Sequence, residues 1–231
     1  MTGRPAPAVL PPSLRVWFGL VAAFAALVVV VLGIRYADEG EPGRVDARIG
    51  AAVDGVGPPW RSVALAVDSL GEPVGAATLV VAAVAGCLLF RRPRAAVFVV
   101  AGVGVAVGTA TVLKHLVGRT IHGENLSYPS GHTAFLTALA LTAAMLATRR
   151  RGRDGLGLGR VAGTSLVLAA ALVAGAAMGW AQVALGAHYP TDVLSGWCTA
   201  LAAIPATAWL VDRTADRLVG RMTDAGRRER R

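Results

Sequence analysis

The sequence is poor in charge, in aromatic residues and in cysteine. Only 16% of its 231 residues are charged and 6% are aromatic, whereas 55% are hydrophobic. Because soluble globular domains carry about 25% charged residues, this composition excludes an ordinary water-soluble protein and favours one polytopic membrane domain. The two cysteines, Cys87 and Cys198, both lie in apolar stretches, which excludes a disulfide framework.

Lysine is almost absent, since Lys114 stands against 22 arginines. The net charge of +9 would fit a partner such as nucleic acid or anionic lipid. We interpret it instead as the excess of positive charge that membrane proteins keep in their cytoplasmic loops, and we expect no nucleic-acid partner.

Six apolar stretches are each long enough to cross a bilayer, for which a helix needs about 20 residues. They are Val16–Ile34, Pro73–Phe90, Ala95–Leu113, Gly131–Thr148, Val161–Leu185 and Thr191–Val211. We therefore predict an all-α polytopic membrane protein with six transmembrane helices in one domain, residues 1–231. Its parts are a short N-terminus (1–15), a long first loop (35–72), a core (95–211) and a basic tail (212–231), for which a solvated helix or disorder is expected.

Charge counting orients the chain in the membrane. If the N-terminus is cytoplasmic, seventeen basic residues fall on the cytoplasmic side and six on the other. This predicts a multi-pass protein of the plasma membrane with both termini in the cytoplasm. All four histidines then lie on the extracytoplasmic side: His115, His122, His132 and His188.

The first external loop contains two candidate amphipathic helices, Val45–Val53 and Trp60–Leu70. Trp60 is a candidate interfacial anchor. Two interpretations stand. The helices lie over the functional site and shape the lateral entry of a lipid, or the segment is a solvated loop with incidental helix.

The tetrapeptide from Pro129 to His132 opens an apolar helix. Ser130 is a good N-cap residue, and a helix start offers unpaired N–H groups and a dipole that favours an anion. The Ser130 hydroxyl, the Gly131 amide and the His132 imidazole can all reach one phosphate. The alternative is an ordinary N-cap with a chance histidine.

A second such start lies 56 residues further on, from His188 to Asp192. Pro190 and Asp192 also suit a purely structural helix start. However, an Asp four residues after a His can hold one imidazole nitrogen and leave the other free to attack. We therefore assign His188 as the nucleophile and His132 as the acid that protonates the leaving oxygen.

Lys114 ends the apolar span before Ser130, and Arg119 follows it. A snorkelling lysine is the alternative, but a lone lysine that faces two helix starts favours a phosphate clamp. His115 and His122 share this loop as solvent-facing or auxiliary residues. No carboxylate cluster with metal-ligand spacing accompanies them, so no metal site is expected.

These residues resemble the type 2 phosphatidic acid phosphatase superfamily, whose helical core is shared with vanadium haloperoxidases and glucose-6-phosphatases. The resemblance covers about residues 95–211. The second family motif is complete as Pro129 to His132, and the third is present as Gly186, His188 and Asp192.

The resemblance implies that His188 forms a phosphohistidine, that Asp192 supports it and that His132 protonates the leaving group. Ser130, Gly131 and Lys114 would hold the phosphate oxygens. No metal or other cofactor would be needed.

Two positions depart from the family motifs. Ile121 and Gln182 stand where the first and third motifs have arginine. Arg119 is expected to replace the first arginine as a phosphate ligand, with Gln182 and His122 as auxiliary residues. Loss of one charge-assisted contact costs about 1.5–3 kcal/mol, or roughly 10- to 100-fold in rate.

The expected function is a metal-independent phosphatase that cleaves a lipid phosphomonoester or pyrophosphate. Candidate substrates are polyprenyl phosphates or diphosphates, phosphatidic acid and phosphatidylglycerol phosphate, with a mild preference for polyprenyl carriers. The alternatives are a non-catalytic phospholipid-binding protein and a vanadate-dependent haloperoxidase. A transporter is disfavoured because no span carries an internal charge. The sequence leaves the oligomeric state open.

Overall fold

A computed structural model of the chain describes residues 15–53, 56–148 and 160–228. These ranges contain α1 (Arg15–Arg35), α2 (Arg44–Val53), α3 (Trp60–Asp68), α4 (Pro73–Leu89), α5 (Pro93–Val117), α6 (Gly131–Thr148), α7 (Arg160–Ala184) and α8 (Pro190–Arg228). The β-structure in the described ranges is one antiparallel hairpin of β1 (Thr120–Ile121) and β2 (Asn125–Leu126). The predicted all-α class is confirmed.

Five described helices, α1, α5, α6, α7 and α8, are each long and apolar enough to cross a membrane. The sixth predicted span, α4, has 17 residues and qualifies only together with α3, from which it is bent by 60°. The described part of the chain therefore has five candidate spans, or six if this bent pair counts as one.

Proline and glycine mark the helix boundaries. Pro73 and Pro93 stand in the first turns of α4 and α5, where a missing N–H costs nothing. Gly118 ends α5 with φ of 68°, and its N–H donates to the Lys114 carbonyl. The chain needs glycine there because an L side chain rarely adopts positive φ.

The basic tail continues α8 as far as Arg228, well past the predicted end of the last span at Val211. Of the two interpretations of this tail, the described residues therefore bear out the helix. The arginine-rich segment 149–159 and the N-terminal residues 1–14, which entered the charge count, lie outside the described residues.

Helix α8 is the centre of the bundle and packs against α1, α5, α6 and α7. The buried core combines small side chains such as Ala138 and Ala200 with Phe98 and Ile204. Gly102 lets α5 approach α8 closely, because a Cβ there would lie 3.0 Å from Ile204 Cδ1. Such close packing of small residues holds helices together where lipid removes the hydrophobic driving force.

Both candidate helices of the loop between the first two predicted spans are present as α2 and α3. Helix α2 contacts α7 and α8, and α3 contacts α7. Trp60 of α3 meets Trp180 of α7 edge to face, with ring centroids 6.3 Å apart. The segment is thus packed helical structure rather than a solvated loop.

The bundle has two chemically different ends. At one end lie the last residues of α5 and α7 and the first residues of α6 and α8, which carry the predicted site residues. At the other end, Arg94 near the start of α5 forms an ion pair of 2.8 Å with Asp212 of α8. The helices thereby gather the candidate chemistry at a single end.

Candidate active site

The turn before α6 is held by the backbone of α8. Ser130 is buried, and its N–H donates to the Asp192 carbonyl at 2.9 Å. Its Oγ accepts a hydrogen bond from the N–H of Thr133 at 3.4 Å, which is the predicted N-cap interaction. The starts of α6 and α8 therefore form one unit.

Gly196 makes this contact possible. A Cβ at position 196 would lie 2.3 Å from the Ser130 carbonyl oxygen, so the two backbones touch directly. Beside Gly131, in contrast, a Cβ would meet no atom within 4 Å. The backbone at Gly131 thus borders open space, as an anion-binding amide requires.

His188 and Asp192 lie together at the start of α8. His188 Nδ1 is 3.8 Å from Asp192 Oδ2, an ion-pair distance that is too long for a hydrogen bond. Asp192 Oδ2 also accepts a hydrogen bond from the N–H of Tyr189 at 3.1 Å, which orients the carboxylate. Nδ1 therefore faces the carboxylate.

Burial lowers the pKa of His188 from its usual value. The Asp192 carboxylate opposes this shift because it favours the imidazolium, while the charges of Lys114 and His132 add to the lowering. All four groups consequently belong to one electrostatic cluster.

Arg119 is fully buried in a network of polar side chains. One terminal nitrogen donates to Asp192 Oδ1 at 2.6 Å and to Thr191 Oγ1 at 2.7 Å, and the other donates to Asp46 Oδ2 at 2.7 Å. The Tyr36 and Tyr189 rings stack on the guanidinium, with centroids 4.0 and 4.4 Å from Cζ.

Asp46 of α2 completes this network and was not predicted from the sequence. Its carboxylate accepts hydrogen bonds at 2.9 Å from the N–H and from the hydroxyl of Thr191. It thereby caps the first turn of α8 across 145 residues of chain. The only sequence signal was an acid on the amphipathic segment Val45–Val53, and nothing in that pattern points to Thr191.

Arg119 was expected to bind the substrate phosphate. Its side chain has 0% exposure, and both terminal nitrogens already bind acceptors. The geometry favours a different role, in which Arg119 holds the carboxylate that stands behind His188.

Lys114 lies half-buried at the end of α5. Its Nζ donates to the Leu126 carbonyl of β2 at 2.7 Å, so the hairpin after α5 orients the ammonium. Two of its three donors remain for other acceptors. Its assignment as a phosphate ligand stays a prediction.

His132 is half-buried and faces the corner between α3 and α4. Its Nε2 is 3.7 Å from Asp68 Oδ1 and 3.5 Å from Glu72 Oε1. These three side chains form a group with the composition of a metal site, its ligand atoms within 4.8 Å of one another. No sequence pattern predicts acids beside His132, because they come from the distant segment 35–72.

Gln182, which stands at a motif arginine position, is buried, and its amide donates to Asp68 Oδ1. Ile121, at the other arginine position, is buried and apolar. His122 is exposed, and its Nε2 is 2.9 Å from the Gly186 carbonyl, so it contacts the loop before His188. His115 is exposed near the end of α5.

The fold and these residues define a helical membrane protein with a cluster of histidine, lysine and carboxylate at one end. Residues 118–216 match the family model of the PAP2 superfamily, which confirms the resemblance seen in the motifs.

One solved structure is similar to this fold with a TM-score of 0.65, and the match covers 85% of this chain and 96% of the other. That protein is a transmembrane PAP2 type phosphatidylglycerolphosphate phosphatase from Bacillus subtilis. At 22% sequence identity the likeness shows a shared fold. No curated protein matches the chain significantly.

Proposed function

We propose that this protein is a membrane-embedded phosphatase that hydrolyses a lipid phosphate through a phosphohistidine. The observation that supports it is the meeting of His188, His132 and Lys114 at one end of the bundle, with Asp192 behind His188. A protein that only binds lipid phosphate needs no buried imidazole backed by a carboxylate.

In the first step, His188 Nε2 attacks phosphorus while the bond to the lipid oxygen breaks. His132 gives its proton to that oxygen, and the alcohol leaves. Asp192 faces Nδ1 and stabilises the positive charge that the ring gains. In the second step, water attacks the phosphohistidine, His132 takes a proton from the water, and His188 is released.

Positive groups stabilise the phosphoryl oxygens in both steps. Lys114 supplies a charge, and the start of α6 supplies the amide of Gly131. The Ser130 N–H is already bonded to Asp192, and the buried Ser130 hydroxyl lies 3.1 Å from Thr133 Oγ1, so its role as a phosphate ligand stays a prediction. None of these roles calls for a metal ion.

The substrate is a lipid phosphomonoester or pyrophosphate that reaches the extracytoplasmic end of a plasma-membrane protein. Candidates are polyprenyl phosphates and diphosphates, phosphatidic acid and phosphatidylglycerol phosphate. The similar solved structure belongs to a phosphatase of the last class, and the chemistry of the site admits all of them.

The test is phosphate release from a panel of these lipids by detergent-purified protein in EDTA. We expect release from at least one class and none by His188→Ala. His115→Ala, which changes a histidine of the same face outside the assigned site, should keep the parent rate. A folded His188→Ala variant with full activity, or a strict need for Mg²⁺, contradicts the proposal.

A second candidate is a non-catalytic lipid-phosphate binder. Two observations favour it: Ile121 is apolar and buried, and the Gln182 amide is bonded to Asp68, so neither position offers a phosphate ligand. It predicts binding of lipid phosphate by folded protein without release and without a phosphoenzyme.

A further inference from the structure

Gln182 uses its side chain to hold a carboxylate. It is 1% exposed, and its Nε2 donates to Asp68 Oδ1 at the end of α3. An amide engaged in this way cannot also donate that hydrogen to a phosphate. At this position the chain therefore fastens the first external loop to α7.

The corner between α3 and α4, which the bond from Gln182 to Asp68 holds in place, packs directly on His132. A Cβ on Gly71 would be 2.3 Å from His132 Cδ2, so the ring rests against the bare backbone of Gly71. The carboxylates on either side of this glycine, Asp68 and Glu72, are the charged groups that face Nε2. The ring is thus enclosed by the corner between α3 and α4.

His132 Nε2 is itself buried and has no hydrogen-bond partner among the described residues. The Asp68 oxygen at 3.7 Å needs to approach by less than about 1 Å to become an acceptor. Of the two carboxylates, Asp68 is the one held in place, because Gln182 binds it and its side chain is 21% exposed against 56% for Glu72.

We propose that Asp68 is a positioning residue for the acid step, and that Gln182 holds it there. This inference rests on the proposed phosphatase function. Asp68 accepts the Nε2 hydrogen of His132 and fixes the ring, so that the other ring nitrogen carries the proton that moves to the leaving oxygen. Water later returns one proton to that nitrogen, and the cycle closes.

Two substrates with different leaving groups distinguish a role of Asp68 in the acid step from a purely structural role. A lipid alcohol needs a proton as it leaves, whereas a nitrophenolate does not. The rates of Asp68→Asn are therefore compared on a lipid phosphate and on p-nitrophenyl phosphate, in EDTA. Because general acids contribute about 10²–10⁴-fold, we expect kcat to fall about 10- to 100-fold on the lipid and less than about 3-fold on the aryl ester.

Two further variants accompany this comparison. Gln182→Glu places a like charge beside Asp68 and should reproduce the selective loss on the lipid. Glu124→Gln removes an exposed acid from the hairpin of the same face and should change neither rate. Gln182→Arg should not raise turnover, because the new guanidinium pairs with Asp68 before it reaches a phosphate.

Equal losses on both substrates, or no loss on the lipid, overturn the role of Asp68. A loss in Asp68→Asn that is present only without EDTA also overturns it and points to a cation held by Asp68, Glu72 and His132. If the parent releases phosphate from neither substrate, the phosphatase proposal fails and this inference falls with it. If the parent is active and His188→Ala abolishes this activity, the phosphatase proposal stands. The Asp68 variants then test the positioning role alone.

Discussion

At the scale of single residues, burial decides the protonation of His188. Only 9% of its side chain is exposed. Burial lowers its pKa from the ordinary 6.5, and Asp192 reverses part of that shift. Since the net direction is downward, the imidazole loses its proton below pH 6.5 and is neutral near pH 7, as an attacking nitrogen must be.

The rate should therefore be bell-shaped in pH, with an acidic limb of kcat/KM below 6.5. At a pH below that limb His188 is protonated and cannot attack. Asp192→Asn removes a group that raises the pKa of His188, so the limb should move to lower pH while kcat falls. A pH–rate series of parent and variant decides this, and a flat profile between about pH 5 and 8 contradicts the assigned roles.

Residues close in sequence were predictable, and residues brought together through space were not. The spacing of His188 and Asp192 within one turn, and of Ser130 and His132 at a helix start, places each pair without a structure. Asp46 and Asp68 reach the same site from a separate loop, and no periodicity pairs them with Thr191 or His132. Arg119 was assigned by its distance from Lys114, which says nothing of its burial between two tyrosines.

At the scale of elements, Asp46 fastens α2 to the start of α8. It receives two hydrogen bonds from Thr191 and one from Arg119, all in a buried setting. Removing one member of a buried ion pair costs about 3–5 kcal/mol, because the remaining charge is left without its partner.

Asp46→Ala should therefore unfold in detergent at a clearly lower temperature than the parent and lose activity. Asp46→Asn keeps an acceptor for Thr191 and should lose less stability. Glu41→Ala, an exposed acid in the same loop, serves as the control. Thermal unfolding and phosphate release measure both effects, and an unchanged melting temperature in Asp46→Ala would rule out the fastening role.

Gly196→Ala tests the contact between α8 and the turn at Ser130. The added methyl group would lie 2.3 Å from the Ser130 carbonyl oxygen, so the turn must move. We expect activity to fall about 10- to 100-fold, since misplacement by about an ångström is costly in an active site. Gly104→Ala, where a Cβ meets open space, should be tolerated. Equal activity of the two variants would show that the close approach is dispensable.

Hydropathy predicted the helices well, and their exact extent less well. Length and apolarity located all six stretches, but α4 is short and α8 continues through a charged tail that hydropathy places outside the membrane. The hairpin after α5 has two residues per strand, too few for any periodic signal. Its role became visible only through the contact between Lys114 and Leu126.

At the scale of the whole molecule, the two ends of the bundle carry different chemistry. The histidines and their acids gather at one end, and the pair of Arg94 and Asp212 lies at the other. An apolar cleft of about 240 Å³ beside Cys87 and Phe90 belongs to that second end and touches none of the candidate site residues. Together with the charge count, this arrangement predicts that the site faces outward.

Thiol labelling tests this orientation. In a background of Cys87→Ala and Cys198→Ala, we expect Glu124→Cys to react with a membrane-impermeant reagent in intact cells. Arg91→Cys, exposed at the other end, should react only after permeabilisation. The reverse pattern would place the site in the cytoplasm and reject the assignment from positive charge.

The buried ion network also has a consequence for biosynthesis. Along the growing chain, Asp46 is made first, Arg119 later, and Asp192 only with the last span. Until α8 has been inserted, Arg119 lacks one of the two carboxylates that compensate its burial. A chain interrupted before α8 therefore carries an under-compensated arginine together with an incomplete candidate site. We expect membrane quality control to remove such chains, so that the charge that positions α8 also marks unfinished copies for degradation.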